Sequence, residues 1–121
     1  MKKLVIILIG VLLMSACTSE SSYHKITAQV AKEMMDTQDV IIVDVRTQEE
    51  YEDGYIENAI LITNENIDGA PSELPNKDAI ILVYCRSGKR SKEASDKLVK
   101  LGYTNIYDFG GIIDWPYEIV E

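Results

Sequence analysis

The chain has 121 residues, with 12 basic and 20 acidic side chains and a formal net charge of −8. One domain is the default at this length, and the acidic balance argues against nucleic acid or an acidic membrane surface as a partner. Two cysteines and one histidine fall short of the usual zinc ligand set.

The first elements in chain order are addressing signals. Lys2 and Lys3 precede an apolar run from Leu4 to Met14, and small residues then lead to Cys17. That order is a secretory signal, and the run is shorter than the roughly 20 residues of a membrane-spanning helix. "LMSAC" (Leu13 to Cys17) resembles the lipobox of bacterial lipoproteins, with Met14 where Leu is commonest. The resemblance implies a signal peptide over 1–16, acylation of Cys17 by fatty chains such as palmitate, and a cell-envelope protein on the extracytoplasmic side of a bacterial membrane. Without Lys2 and Lys3, 10 basic residues remain against 20 acidic, a formal charge of −10. Cys85 is then the one remaining thiol.

Residues 17–25 read as the lipidated cysteine and a small, polar tether, with His24 a solvated linker residue. The domain then spans 26–121. Ile26 opens a short edge strand, and Thr27 caps a helix through about Met35 with Val30, Ala31 and Met34 on one face. "VIIVDV" (Val40 to Val45) is a β-branched run suited to a buried parallel strand. Thr47 and Glu50 form a capping box and Gly54 stops the helix between them. Ala59 to Ile62 is a short strand. Thr63 to Asp78 is loop with one helical turn, and Ala79 to Tyr84 is a second buried strand. Ser91 to Gly102 is an amphipathic helix with Ala94, Leu98 and Leu101 inward. Asn105 to Phe109 is a strand, Gly110-Gly111 a turn, and Ile112 to Trp115 a short closing helix. The alternation predicts an α/β fold with a mainly parallel sheet of about five strands flanked by helices on both faces.

Ligands of such sheets bind beyond the carboxyl ends of the strands, which is where Cys85 falls. "VYCRSGKRS" (Val83 to Ser91) surrounds it with Arg86, Lys89 and Arg90, on a chain that is otherwise acidic. Gly88 lets the loop curl so that successive amides point inward, and such a nest binds an anion. Cationic neighbours and a helix N-terminus favour the thiolate. No base is then needed to make the nucleophile.

Three segments in order resemble the single-domain rhodaneses, a family of sulfurtransferases. These are "VIIVDVRTQEEYEDGYIENAI", "VYCRSGKRS" and "GGIIDW". The resemblance implies a rhodanese-like fold and a persulfide on Cys85. It implies a substrate-binding loop of Arg86, Ser87, Gly88, Lys89 and Arg90 whose amides cradle the outer sulfur. Asp44 and Arg46 would give structural support, with Glu50 a partner for Arg46. The implied substrates are a small anionic donor such as thiosulfate and a thiol or cyanide acceptor, with no cofactor or metal, and the domain is expected to be a monomer. Tyr55 replaces a histidine common in the family. Two other readings stay open. One is a non-catalytic module that binds anions or a partner. The other is a phosphatase or arsenate reductase on the same fold, although those use Cys-x5-Arg and this chain has Cys85-x4-Arg90.

Overall fold

The computed structural model describes residues 22–121; the signal segment, Cys17 and the first residues of the tether lie outside them. β1 (His24–Lys25), β2 (Ile41–Asp44), β3 (Ile60–Leu61), β4 (Ile80–Cys85) and β5 (Asn105–Gly111) form one sheet in the order β1-β5-β4-β2-β3. Every pairing in it is parallel. Between the strands run α1 (Ala28–Thr37), α2 (Gln48–Asp53) and α3 (Lys89–Lys100), with 3-10 turns at Asn64–Asn66 and Ile112–Asp114. None of the described helices is long and apolar enough to cross a membrane.

The central strands are buried on both faces, which explains their unbroken apolar runs. Val43, Ile81, Val83 and Ile106 pack under Ala94 and Leu98 of α3. Ile42, Leu82, Tyr84 and Phe109 pack on the other face with Ala31 of α1. The alternation along β4 therefore sends Cys85 to the α3 side and Tyr84 to the α1 side.

Local signals set the helix starts. The Thr27 hydroxyl accepts from the Val30 amide at 3.1 Å. Thr47 and Glu50 close a reciprocal capping box at the head of α2. Val30, expected on the inward face of α1, is 40% exposed instead; Ala31 holds the buried position and Met34 packs beside it.

Two boundaries differ in ways that matter for the site. α3 begins at Lys89 rather than Ser91, because Gly88 serves as its N-cap. β5 continues through Gly110 and Gly111, which the sequence suggests is a turn. The register slips there, with Val83 opposite Asp108 but Cys85 opposite Gly111. Gly110 takes up the extra residue at φ +91°, and its amide donates to Asp108 Oδ1 at 2.9 Å. Bulges of this kind re-aim a strand end beside a functional site. At the sheet edge, His24 is exposed as expected but belongs to the domain and not to the linker: it lies in β1 and stacks on Tyr107 at 4.8 Å.

Candidate active site

β4 delivers Cys85 to the carboxyl edge of the sheet, where its side chain is only 1% exposed. The chain then turns through Arg86, Ser87 and Gly88 into α3. Gly88 sits at φ +109°, a conformation open to glycine and strained for other residues. That geometry aims the Gly88 amide at the cysteine sulfur, 3.0 Å from Sγ. The first intrahelical bond of α3 runs from the Lys92 amide to the Gly88 carbonyl. The amides of Lys89, Arg90 and Ser91 thus belong to the unpaired first turn, whose partial positive charge favours an anion. No side chain caps this end, and the sulfur takes the amide of the N-cap residue itself.

Ser91 is a site residue that the sequence discloses only as a helix start. It is fully buried, its Oγ stands 3.6 Å from Cys85 Sγ, and its hydroxyl donates to the Gly88 carbonyl at 3.1 Å. Rotation of that hydroxyl supplies a second donor when the sulfur is anionic.

The three loop cations have different fates. Arg86 and Lys89 are exposed at the mouth of the loop, as is Ser87. Arg90 is engaged: its Nη1 and Nη2 donate to the two carboxylate oxygens of Glu50 at 2.7 and 3.0 Å. The pairing of Glu50 with Arg46 suggested by sequence is therefore replaced by a clamp from α2 to α3, across the active loop. That ion pair pushes the Arg90 guanidinium up, so it stays charged beside the loop.

The Arg90 guanidinium, helped by donors from Thr47 and opposed by partial burial, holds the Glu50 carboxyl at about 2, below its ordinary 4.5. A depressed carboxyl contributes stability above its unfolded value and loses it as pH falls toward the folded one. The stability difference between wild type and Glu50→Gln should therefore be full above ~pH 5 and should shrink as pH falls to about 2. Thermal melts of both proteins across that range check this, and a pH-independent difference would contradict the clamp.

Arg46 is occupied beneath the loop. Its Nε donates to both oxygens of Asp44 at 3.0 Å, and its Nη2 donates to Asp44 Oδ2 at 2.7 Å and to the Gly54 carbonyl at 2.6 Å. Asp44 is fully buried and Arg46 is 6% exposed, so each neutralises a charge the other could not carry alone. The pair joins the end of β2 to the end of α2. Nearby, burial and the Asp44 carboxylate push the Tyr84 phenol up, so it stays protonated, and its oxygen accepts from the Ile56 amide at 3.1 Å. The Tyr55 ring stacks on Tyr51 at 4.2 Å and its backbone pairs with Val120.

Gly111 is the second residue whose role was not visible in the sequence. A Cβ there would lie 2.1 Å from the Arg86 carbonyl oxygen and 2.6 Å from Ser87 Cα. The active loop rests directly on this glycine, and the Ile113 amide holds the Arg86 carbonyl at 3.2 Å. The arrangement is a buried sulfur with one inward amide donor from Gly88, two exposed cations on the loop, and a floor that admits no side chain. It suits a nucleophile whose negative charge the backbone shares.

Such a site on such a sheet defines a class, and the comparisons agree with it. Residues 27–116 match the rhodanese-like domain family, and the chain belongs to that family. A sulfurtransferase of Allochromatium vinosum is 39% identical over 71% of this chain and 80% of its own length. A tRNA uridine(34) hydroxylase of Photorhabdus laumondii is 34% identical over 78% of this chain, but that match spans only 28% of its length. The crystal structure of a rhodanese-like domain protein from Staphylococcus aureus superposes with a TM-score of 0.67 at 36% identity, covering 78% of this chain and 93% of that one.

Proposed function

We propose that this protein is a sulfurtransferase that carries sulfane sulfur on Cys85. The single observation that carries the reading is the buried Cys85 sulfur facing the Gly88 amide at the uncapped start of α3. The sulfurtransferase relative, aligned over 80% of its own length, supports it.

The Cys85 thiolate attacks the outer sulfur of an anionic donor such as thiosulfate. The S–S bond of the donor breaks, sulfite leaves with the electron pair, and a Cys85 persulfide anion remains. Cyanide or a thiolate acceptor then attacks the outer sulfur, departs as thiocyanate or a persulfide, and regenerates the Cys85 thiolate. Negative charge stays on sulfur within the loop through both steps, where preorganised amides stabilise it without rearrangement. Two half-reactions through one covalent intermediate require ping-pong kinetics.

Arg86 and Lys89 attract the donor. Arg86→Ala and Lys89→Ala should each raise the thiosulfate KM by roughly 3–10-fold, less so at high salt, with little change in kcat. Steady-state kinetics at two ionic strengths check this; an equal loss in kcat would place them in the chemical step instead.

The signal and Cys17 support a location on the outer face of a bacterial membrane, held by lipid. Two or more acyl chains make that anchoring stable. The functional test is thiocyanate release from thiosulfate and cyanide. Parallel double-reciprocal lines for wild type and no turnover for Cys85→Ser are expected. Hydrolysis of an aryl phosphate without thiocyanate release would move the phosphatase reading ahead.

A further inference from the structure

A groove of about 590 Å³ lies on the α1 face and shares no lining residue with the Cys85 loop. It runs between the end of α1, the start of β2, the Ile56–Asn58 turn and the segment 115–118. Its volume falls within the roughly 300–1,000 Å³ typical of ligand pockets. Its floor is apolar, with Ile42 and Ile56 each at most 5% exposed.

Two aromatic rings stand over that floor at a steep angle, Trp115 and Tyr117, with centroids 4.9 Å apart and planes at 70°. The face of Tyr117 already attracts one ammonium group, Lys32 Nζ at 5.9 Å. The rim is acidic. Lys32 is neutralised by Asp36 at 2.8 Å, while Asp39, Glu57 and Glu118 have no cation within salt-bridge distance among the described residues. Aromatic faces and unpaired carboxylates over an apolar floor select a cation on an aliphatic stem.

We propose that this groove docks a basic, lysine- or arginine-bearing peptide segment of a partner protein. A peptide is favoured over a free amine by size and by the spread of the carboxylates Asp39, Glu57 and Glu118 over three separate segments of the rim. The groove is several times larger than one aliphatic amine. The groove binds independently of sulfur chemistry and would hold a basic partner on the flank of the domain.

Trp115 is the single tryptophan and lines the groove, so its emission reports on binding there. The experiment titrates the full chain, in neutral detergent, with a blocked peptide of alternating leucine and lysine. A saturable change is expected, weakened about fivefold or more in Asp39→Asn/Glu118→Gln. It should be unchanged in Asp53→Asn/Asp96→Asn, which removes two exposed carboxylates elsewhere, and retained in Cys85→Ser. Melting curves confirm that each variant is folded. No saturable change would overturn the proposal, as would equal binding of a peptide with glutamate in place of lysine. Equal weakening by both double variants would reduce the effect to diffuse acidity. Butylammonium binding as tightly as the peptide would make this a small-amine site instead.

Discussion

Gly111→Ala is expected to lower sulfur transfer by at least about a hundredfold while leaving a folded protein. The added methyl would sit 2.1 Å from the Arg86 carbonyl oxygen and 2.7 Å from its carbon. Both are backbone atoms, so no side chain can swing aside to make room. The loop must lift, and with it the Gly88 amide that faces Cys85 Sγ. Displacing an amide that stabilises a developing anion costs about 10²–10³ in rate in comparable sites. Overpacking of this size costs about 1–3 kcal/mol of stability, which a domain of ordinary stability survives. Gly69→Ala is the control, since a Cβ there meets nothing within 4 Å. Thiocyanate assays with far-UV circular dichroism check the prediction. Near-normal turnover in Gly111→Ala would show that the loop does not depend on this floor.

The second large effect falls on stability. Asp44→Ala leaves the Arg46 guanidinium buried without its carboxylate, and breaking one side of a buried pair costs about 3–5 kcal/mol. For a domain of this size that lowers Tm by on the order of 20 °C. Asp44→Leu combined with Arg46→Met should cost less than Asp44→Ala alone, because no charge is then stranded. Denaturant titration of the three variants decides the matter. A cost below ~1 kcal/mol for Asp44→Ala would mean that water reaches Arg46 and that the pair is not a structural anchor.

Both effects bear on what the sequence discloses. The buried strands were legible because Val40–Val43 and Ile80–Cys85 carry continuous apolar runs, and two-sided burial in a parallel sheet leaves that pattern. The helix starts at Thr27 and Thr47 were legible because capping is local chemistry. Cys85 stood out because cations cluster around it on an acidic chain.

The partners of those charges were not legible. Glu50 lies four residues from Arg46 and 40 from Arg90, yet it bonds Arg90. Arg46 turns back to Asp44, its neighbour two positions earlier, because both are buried while Glu50 faces the loop. Pairings of this kind are set by packing between elements, which no periodicity encodes. Gly110-Gly111 shows the same limit. A glycine doublet signals a turn, but here it is a bulge and a contact surface, and only the position of Arg86 across the sheet reveals that. Ser91 announced a helix start, whereas the true N-cap is Gly88, whose amide faces the sulfur.

Intact mass spectrometry of the chain after incubation with thiosulfate shows whether Cys85 holds a transferable sulfur. A gain of about 32 Da, one sulfur atom, is expected that is absent in Cys85→Ala and is removed by cyanide with release of thiocyanate. An unchanged mass with no thiocyanate, from protein whose Cys85 is shown to be free and reduced, would contradict it.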